Sequence, residues 1–90
     1  MEPLEFEFDP VKSGANRMKH GIDFVEAQLL WDDERLLELG IEGTEEPRWI
    51  VIGILREQYW AAIFTIRGSA VRIISVRRAR VREVSMYEGQ

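Results

Sequence analysis

Three apolar runs lying close together in the second half of the chain set what it can fold into. Residues 49–55, 60–67 and 71–77 each have the length and composition of a strand. Only residues 56–59 separate the first two, with Arg56-Glu57-Gln58 as the hairpin connection, and Gly68-Ser69 forms the turn before the third. Segments this short cannot carry a crossover, so the three runs pair antiparallel in chain order. In the last run strict alternation points Arg72, Ile74 and Val76 one way and Val71, Ile73, Ser75 and Arg77 the other. Two arginines thus start on opposite faces, unless a twist or a bulge re-aims one of them.

The first half of the chain supplies helices to cover that sheet. Leu4-Glu5-Phe6-Glu7-Phe8 alternates apolar and acidic residues, as a short half-buried strand does. Asp9-Pro10 reads as an N-cap followed by proline at the first helical position, and Gly21 as a left-handed stop. Between them Val11, Ala15 and Met18 share one helical face, and Lys12, Asn16 and Lys19 a neighbouring one. Asp23 and Glu26 are spaced as a capping box for a second helix that turns Phe24, Ala27, Leu30 and Trp31 inward. Residues 36–41 form a weak edge strand, 42–47 a polar loop and 78–88 a closing helix. The expected fold is α+β, a single domain over residues 1–90: a twisted antiparallel sheet with two N-terminal helices and a C-terminal helix on one side.

The charge is segregated. Residues 23–46 hold nine acids against one base, Arg35, whereas residues 48–82 hold eight arginines against one acid, Glu57. The overall charge of −4 therefore hides a basic surface able to steer a polyanion. Its cations are all arginine, whose planar fork suits bidentate phosphate contacts. The absence of cysteine excludes a disulfide scaffold and a thiolate zinc site. One histidine without cysteine makes any metal site unexpected, and no glycine-rich phosphate loop is present. No apolar run is long enough to span a membrane, so a cytoplasmic protein with no cofactor is expected.

Among single residues, His20 stands out as the only histidine, a side chain type suited to general acid or base work. Its ordinary alternative is a charged histidine at a helix C-terminus. Arg67 and Arg72 flank the Gly68-Ser69 turn on otherwise apolar strands, and with Arg77 they are the arginines for which a purpose is most needed. Arg78, Arg80 and Arg82 are read as helical arginines, able to neutralise phosphates or simply to line a solvated face. Glu83 and Tyr87, four apart, share a helix face: Glu83 to pair an arginine, Tyr87 to meet a base or phosphate, or to pack on the sheet. These residues alone leave an enzyme and a non-catalytic protein- or nucleic-acid-binding module equally open.

The pattern resembles the BrnT family, toxins of type II toxin–antitoxin systems, over nearly the whole chain. The residues that carry the resemblance are Phe8-Asp9, Lys12, Asn16, Lys19-His20-Gly21, Phe24, Glu26-Ala27, Arg48-Trp49, Ile52-Gly53, Arg67, Arg72-Ile73-Ile74-Ser75, Arg77, Ala79, Glu83 and Tyr87. Phe8 stands where the family often has tryptophan, and Val76 where it often has alanine. The resemblance implies a RelE-like fold and a ribonuclease that cleaves RNA and inhibits growth. It implies a BrnA-like antitoxin with a ribbon-helix-helix part, in a two-plus-two complex that meets DNA only through the antitoxin. On this reading His20, Lys19, Arg67, Arg72, Arg77, Glu83 and Tyr87 form a metal-independent catalytic set acting on the RNA 2′-hydroxyl, and Arg78, Arg80 and Arg82 bind RNA.

Overall fold

The computed structural model describes residues 4–90. The chain forms β1 (Glu5–Glu7), α1 (Pro10–His20), α2 (Phe24–Ala27) continuing as a 3₁₀ turn (Gln28–Asp32), β2 (Leu37–Ile41), β3 (Arg48–Leu55), β4 (Gln58–Arg67), β5 (Ala70–Arg78) and α3 (Val81–Glu88). The helix ends follow their caps. Asp9 accepts from the Val11 N–H, Pro10 opens α1 and Gly21 closes it at φ 81°. Asp23 and Glu26 form the expected reciprocal box.

The strands lie in the order β1-β5-β4-β3-β2. The meander β2-β3-β4-β5 is antiparallel, with Arg56-Glu57 and Gly68-Ser69 as its two-residue turns. The expected all-antiparallel sheet is corrected at one edge, where β1 pairs parallel with β5 through Glu5–Ala70, Phe6–Val71 and Glu7–Arg72. The whole of α1 through β4 intervenes between these two strands, so no hairpin fixes their relative direction.

Helices cover both faces rather than one. Phe24, Ala27 and Leu30 pack with Val51, Ala62, Phe64, Val71, Ile73 and Val76. Tyr87 of α3 packs with Ile52 and Ala61. Val51 and Ile52 are consecutive in β3, as are Ala61 and Ala62 in β4, so the two clusters lie on opposite faces. Polar residues set the rotation of α1. Its buried residues are Ser13 and Asn16, while Val11 and Met18 are 80% and 89% exposed. The reason is polar: Asn16 is needed by the sheet, and that need fixes the rotation of the helix.

The third difference decides the site. Ile63 pairs with Ser75 but Phe64 pairs with Ile73, so Ile74 is an extra residue in β5, a β-bulge. The bulge shifts the alternation by one. Val71, Ile73 and Val76 all join the same core cluster, and Arg72 and Arg77 are thereby turned to the one opposite face.

Candidate active site along strand β5

Strand β1 reaches only as far as Arg72, and the rest of that edge of β5 has no strand neighbour among the described residues. Asn16 takes over at Val76. Its Oδ1 accepts from the Val76 N–H at 3.1 Å, and its Nδ2 donates to the Val76 carbonyl at 2.9 Å and to the Ile22 carbonyl at 2.8 Å. One side-chain amide thus stands in for a residue of a neighbouring strand. Fixing α1 in this way sets Lys12, Lys19 and His20 beside Ile74 and Ser75, around a shallow cavity of about 220 Å³ whose lining holds no carboxylate among the described residues. His20 is half-buried at the last position of α1.

The arginines arrive held by carboxylates. Arg72 donates to Glu7 at 3.2 Å, and Arg67 lies 3.7 Å from the same carboxylate. Arg77 donates from both terminal guanidinium nitrogens to Glu83, at 2.7 and 2.9 Å, and the Arg80 N–H donates to Glu83 at 2.8 Å. The hydrogen bond to Glu83 raises the Arg77 pKa, and the Arg77 guanidinium holds Glu83 below the usual carboxylate range. Along β5 the order is therefore Arg72, the bulge with the His20 cavity at its edge, then Arg77. The two arginines lie four strand steps apart, roughly 13 Å.

Not every expected residue joins this arrangement. Tyr87 is 5% exposed, its hydroxyl donates to Asp33 at 2.7 Å, and it packs with Ile52 and Ala61 rather than lining the His20 cavity. Burial first, then the hydrogen bond and the charge of Asp33, push its pKa up to about 12. Tyr87 is a core tyrosine. The three arginines expected on the closing helix are dispersed, since α3 begins at Val81. Arg78 is the last residue of β5, donates to the Tyr59 carbonyl and lies over the Trp60 ring; Arg80 precedes the helix; only Arg82 lies within it.

Two residues were missed. Lys12 lines the cavity with Lys19, and their spacing of two helical turns was visible in the sequence without being given a role. Arg48 sits on the same sheet face as Thr65 and Arg72, opposite Ile41, and its buried Nε has no hydrogen-bond partner among the described residues. Only pairing across the sheet, unavailable from a strand read alone, brings Arg48 there.

Residues 8–83 match the family described as the ribonuclease toxin, BrnT, of type II toxin–antitoxin systems. The chain belongs to the BrnT family. It is thus a member of a ribonuclease toxin family whose systems pair the toxin with a protein antitoxin. No curated protein matches the sequence. The BrnT match takes in Lys12, Lys19, His20, Arg48, Arg67, Arg72, Arg77 and Glu83, and Tyr87 lies beyond it. No helix among the described residues is long and apolar enough to cross a membrane.

Proposed function

We propose that this chain is the growth-inhibiting toxin of a type II pair: a metal-independent endoribonuclease of RelE-like fold that acts in the cytoplasm by way of the RNA 2′-hydroxyl. The observation that carries the proposal is the bulge at Ile74, which turns Arg72 and Arg77 to one face on either side of the edge where His20 and Lys19 sit. Cleavage without a metal needs a base for the 2′-hydroxyl, positive charge on the pentacoordinate phosphate and an acid for the departing 5′-oxygen. His20 supplies acid or base. Arg67, Arg72, Arg77 and Lys19 stabilise phosphate charge, with Lys12 beside them. Glu83 orients Arg77, and an incoming phosphate competes with Glu7 for Arg72. Tyr87 acts from a distance by seating α3. Arg78 remains available to steer RNA from the end of β5. The partner is a BrnA-like ribbon-helix-helix antitoxin in a two-plus-two complex that alone brings the toxin to DNA.

The test is incubation of the purified protein with RNA in EDTA. Discrete fragments are expected, reduced about 10²–10³-fold by Arg72→Ala and by a similar or larger factor by His20→Ala. Full cleavage by His20→Ala removes that residue from the mechanism. A second reading, RNA binding without cleavage, draws on the pairing of Arg67 and Arg72 with one carboxylate, Glu7. Its signature is salt-sensitive retention of intact RNA.

A further inference from the structure

A second concavity lies on the α3 side of the sheet, around the other edge from the His20 cavity. Leu39, Ile50 and Ile52 form its floor, Met86 and Glu83 its wall, and Arg80 and Arg82 its rim, enclosing about 210 Å³. The floor runs into β2, the last strand of the sheet, whose outer edge has no partner among the described residues. An open edge of this kind is a row of backbone donors and acceptors ready to pair with another chain. Leu37, Leu39 and Ile41 lie opposite Ile52, Ile50 and Arg48, and all three are half-buried. Neither Arg80 nor Arg82 forms an ion pair among the described residues.

We propose that this groove and the β2 edge together dock an extended segment of the protein antitoxin, which enters as a sixth strand beside β2. Its apolar side chains lie on Leu39, Ile50 and Ile52, and a carboxylate points at Arg80 and Arg82. The proposal rests on the type II pairing and not on RNA cleavage. Charge selects the occupant. A peptide can place one acid at the arginines and neutral or basic residues elsewhere. A nucleic acid along the same edge would run its phosphates past Glu38, Glu42, Glu45 and Glu46. A second copy of the chain pairing antiparallel through β2 would set those acids against Asp32, Asp33 and Glu34. Strand addition supplies affinity through the backbone, and the groove supplies specificity through alternate side chains. Glu83 links this surface to β5, because the carboxylate in the groove wall is the one that holds Arg77.

The test titrates the full chain with the purified protein encoded by the adjoining reading frame. Hydrogen exchange is followed with and without that protein. Slowed exchange at the β2 amides of Leu37–Ile41 is expected. So is an affinity loss of about tenfold or more for each of Arg80→Glu and Arg82→Glu, with unchanged thermal melts. Met18→Asp, on the outer face of α1, is expected to bind as the parent does. Affinity untouched by both arginine reversals, with β2 exchange unchanged, overturns the proposal. So does RNA affinity that falls while antitoxin affinity holds, or protection of β2 that depends on the concentration of this chain alone. Because the readout is binding, a chain without ribonuclease activity still answers the question.

Discussion

Asn16 shows how much one buried polar side chain decides. Val11, Ala15 and Met18 share one face of α1, the kind of apolar stripe that usually packs inward. The fold turns Asn16 inward instead, since the edge of β5 beyond β1 exposes a backbone N–H and C=O that must be bonded if buried. The asparagine satisfies both, and a third hydrogen bond to Ile22 fixes the chain leaving α1. Ser13 follows the same logic one turn earlier, where its Oγ accepts from the Phe24 N–H at 2.9 Å. Replacing Asn16 by alanine leaves buried backbone groups unpaired, at roughly 2–4 kcal/mol in total. The expected result is a melting temperature lower by roughly 10–25 °C, measured by circular dichroism, for a domain of this size. A drop of only a few degrees would show that water or the backbone replaces the amide without difficulty. Periodicity could not reveal this residue, because the need that Asn16 meets lies sixty positions further on, at Val76.

At the scale of elements, what was local in the sequence was legible and what depended on pairing was not. The caps at Asp9, Gly21 and Asp23 came out as read, because a cap is a contact between residues a few positions apart. The bulge at Ile74 is set by how β5 meets β4, so alternation along β5 alone put Arg72 and Arg77 on opposite faces. The start of α3 was misplaced for a related reason. Arg78 and Ala79 still hydrogen-bond to the Tyr59 carbonyl of β4, which holds the chain extended until Arg80. The β3–β4 hairpin offers an element-scale test. Its two turn residues, Arg56 and Glu57, have φ of 53° and 66°, the left-handed region of a type I′ turn, where glycine or asparagine is the usual choice. Arg56 has an evident return, an ion pair at 2.6 Å with Glu26 of α2 that ties the hairpin to the helical layer. Glu57 has no such contact among the described residues, so Glu57→Gly is expected to stabilise by about 1 kcal/mol, net of the entropy of glycine. Denaturant unfolding should then show a higher midpoint at an unchanged slope. A lower midpoint would mean that glycine's freedom in the unfolded chain outweighs the relief of strain.

At the scale of the whole molecule, titratable contacts at both ends bind α3 to the rest of the fold. The first is Arg77–Glu83 at the start of the helix, and the second is Tyr87–Asp33 near its end, where the Tyr59 hydroxyl also donates to Glu88 at 2.7 Å. The second also joins the two helical layers around the end of the sheet. Asp33 follows the α2 turn, accepts from the Ile54 N–H of β3 at 2.9 Å, and takes the Tyr87 hydroxyl from the far face. Burial alone would raise the Asp33 pKa, but the hydrogen bonds from Ile54, Arg35 and Tyr87 outweigh it, and the net shift is downward. Glu83 is also lowered, through Arg77 first. Both carboxylates therefore contribute stability above the ordinary carboxylate range and lose it as pH falls through their folded values. Tyr87 sets the opposite limit. Its pKa rises from 10.0 to about 12, so its contribution is complete below pH 10 and is lost as pH climbs toward 12. A rise of that size corresponds to at most about 3 kcal/mol. Tyr87→Phe removes the hydroxyl and is expected to cost about 1–2 kcal/mol at neutral pH. The decisive comparison is the difference in unfolding free energy between parent and Tyr87→Phe, which cancels the deprotonation of lysines common to both. That difference should be flat from pH 6 to near pH 9 and shrink steadily above pH 10. A difference that stays constant through pH 11 would mean that the Tyr87 hydroxyl ionises in the folded state as it does in the unfolded chain, and that its bond to Asp33 does not favour the protonated form.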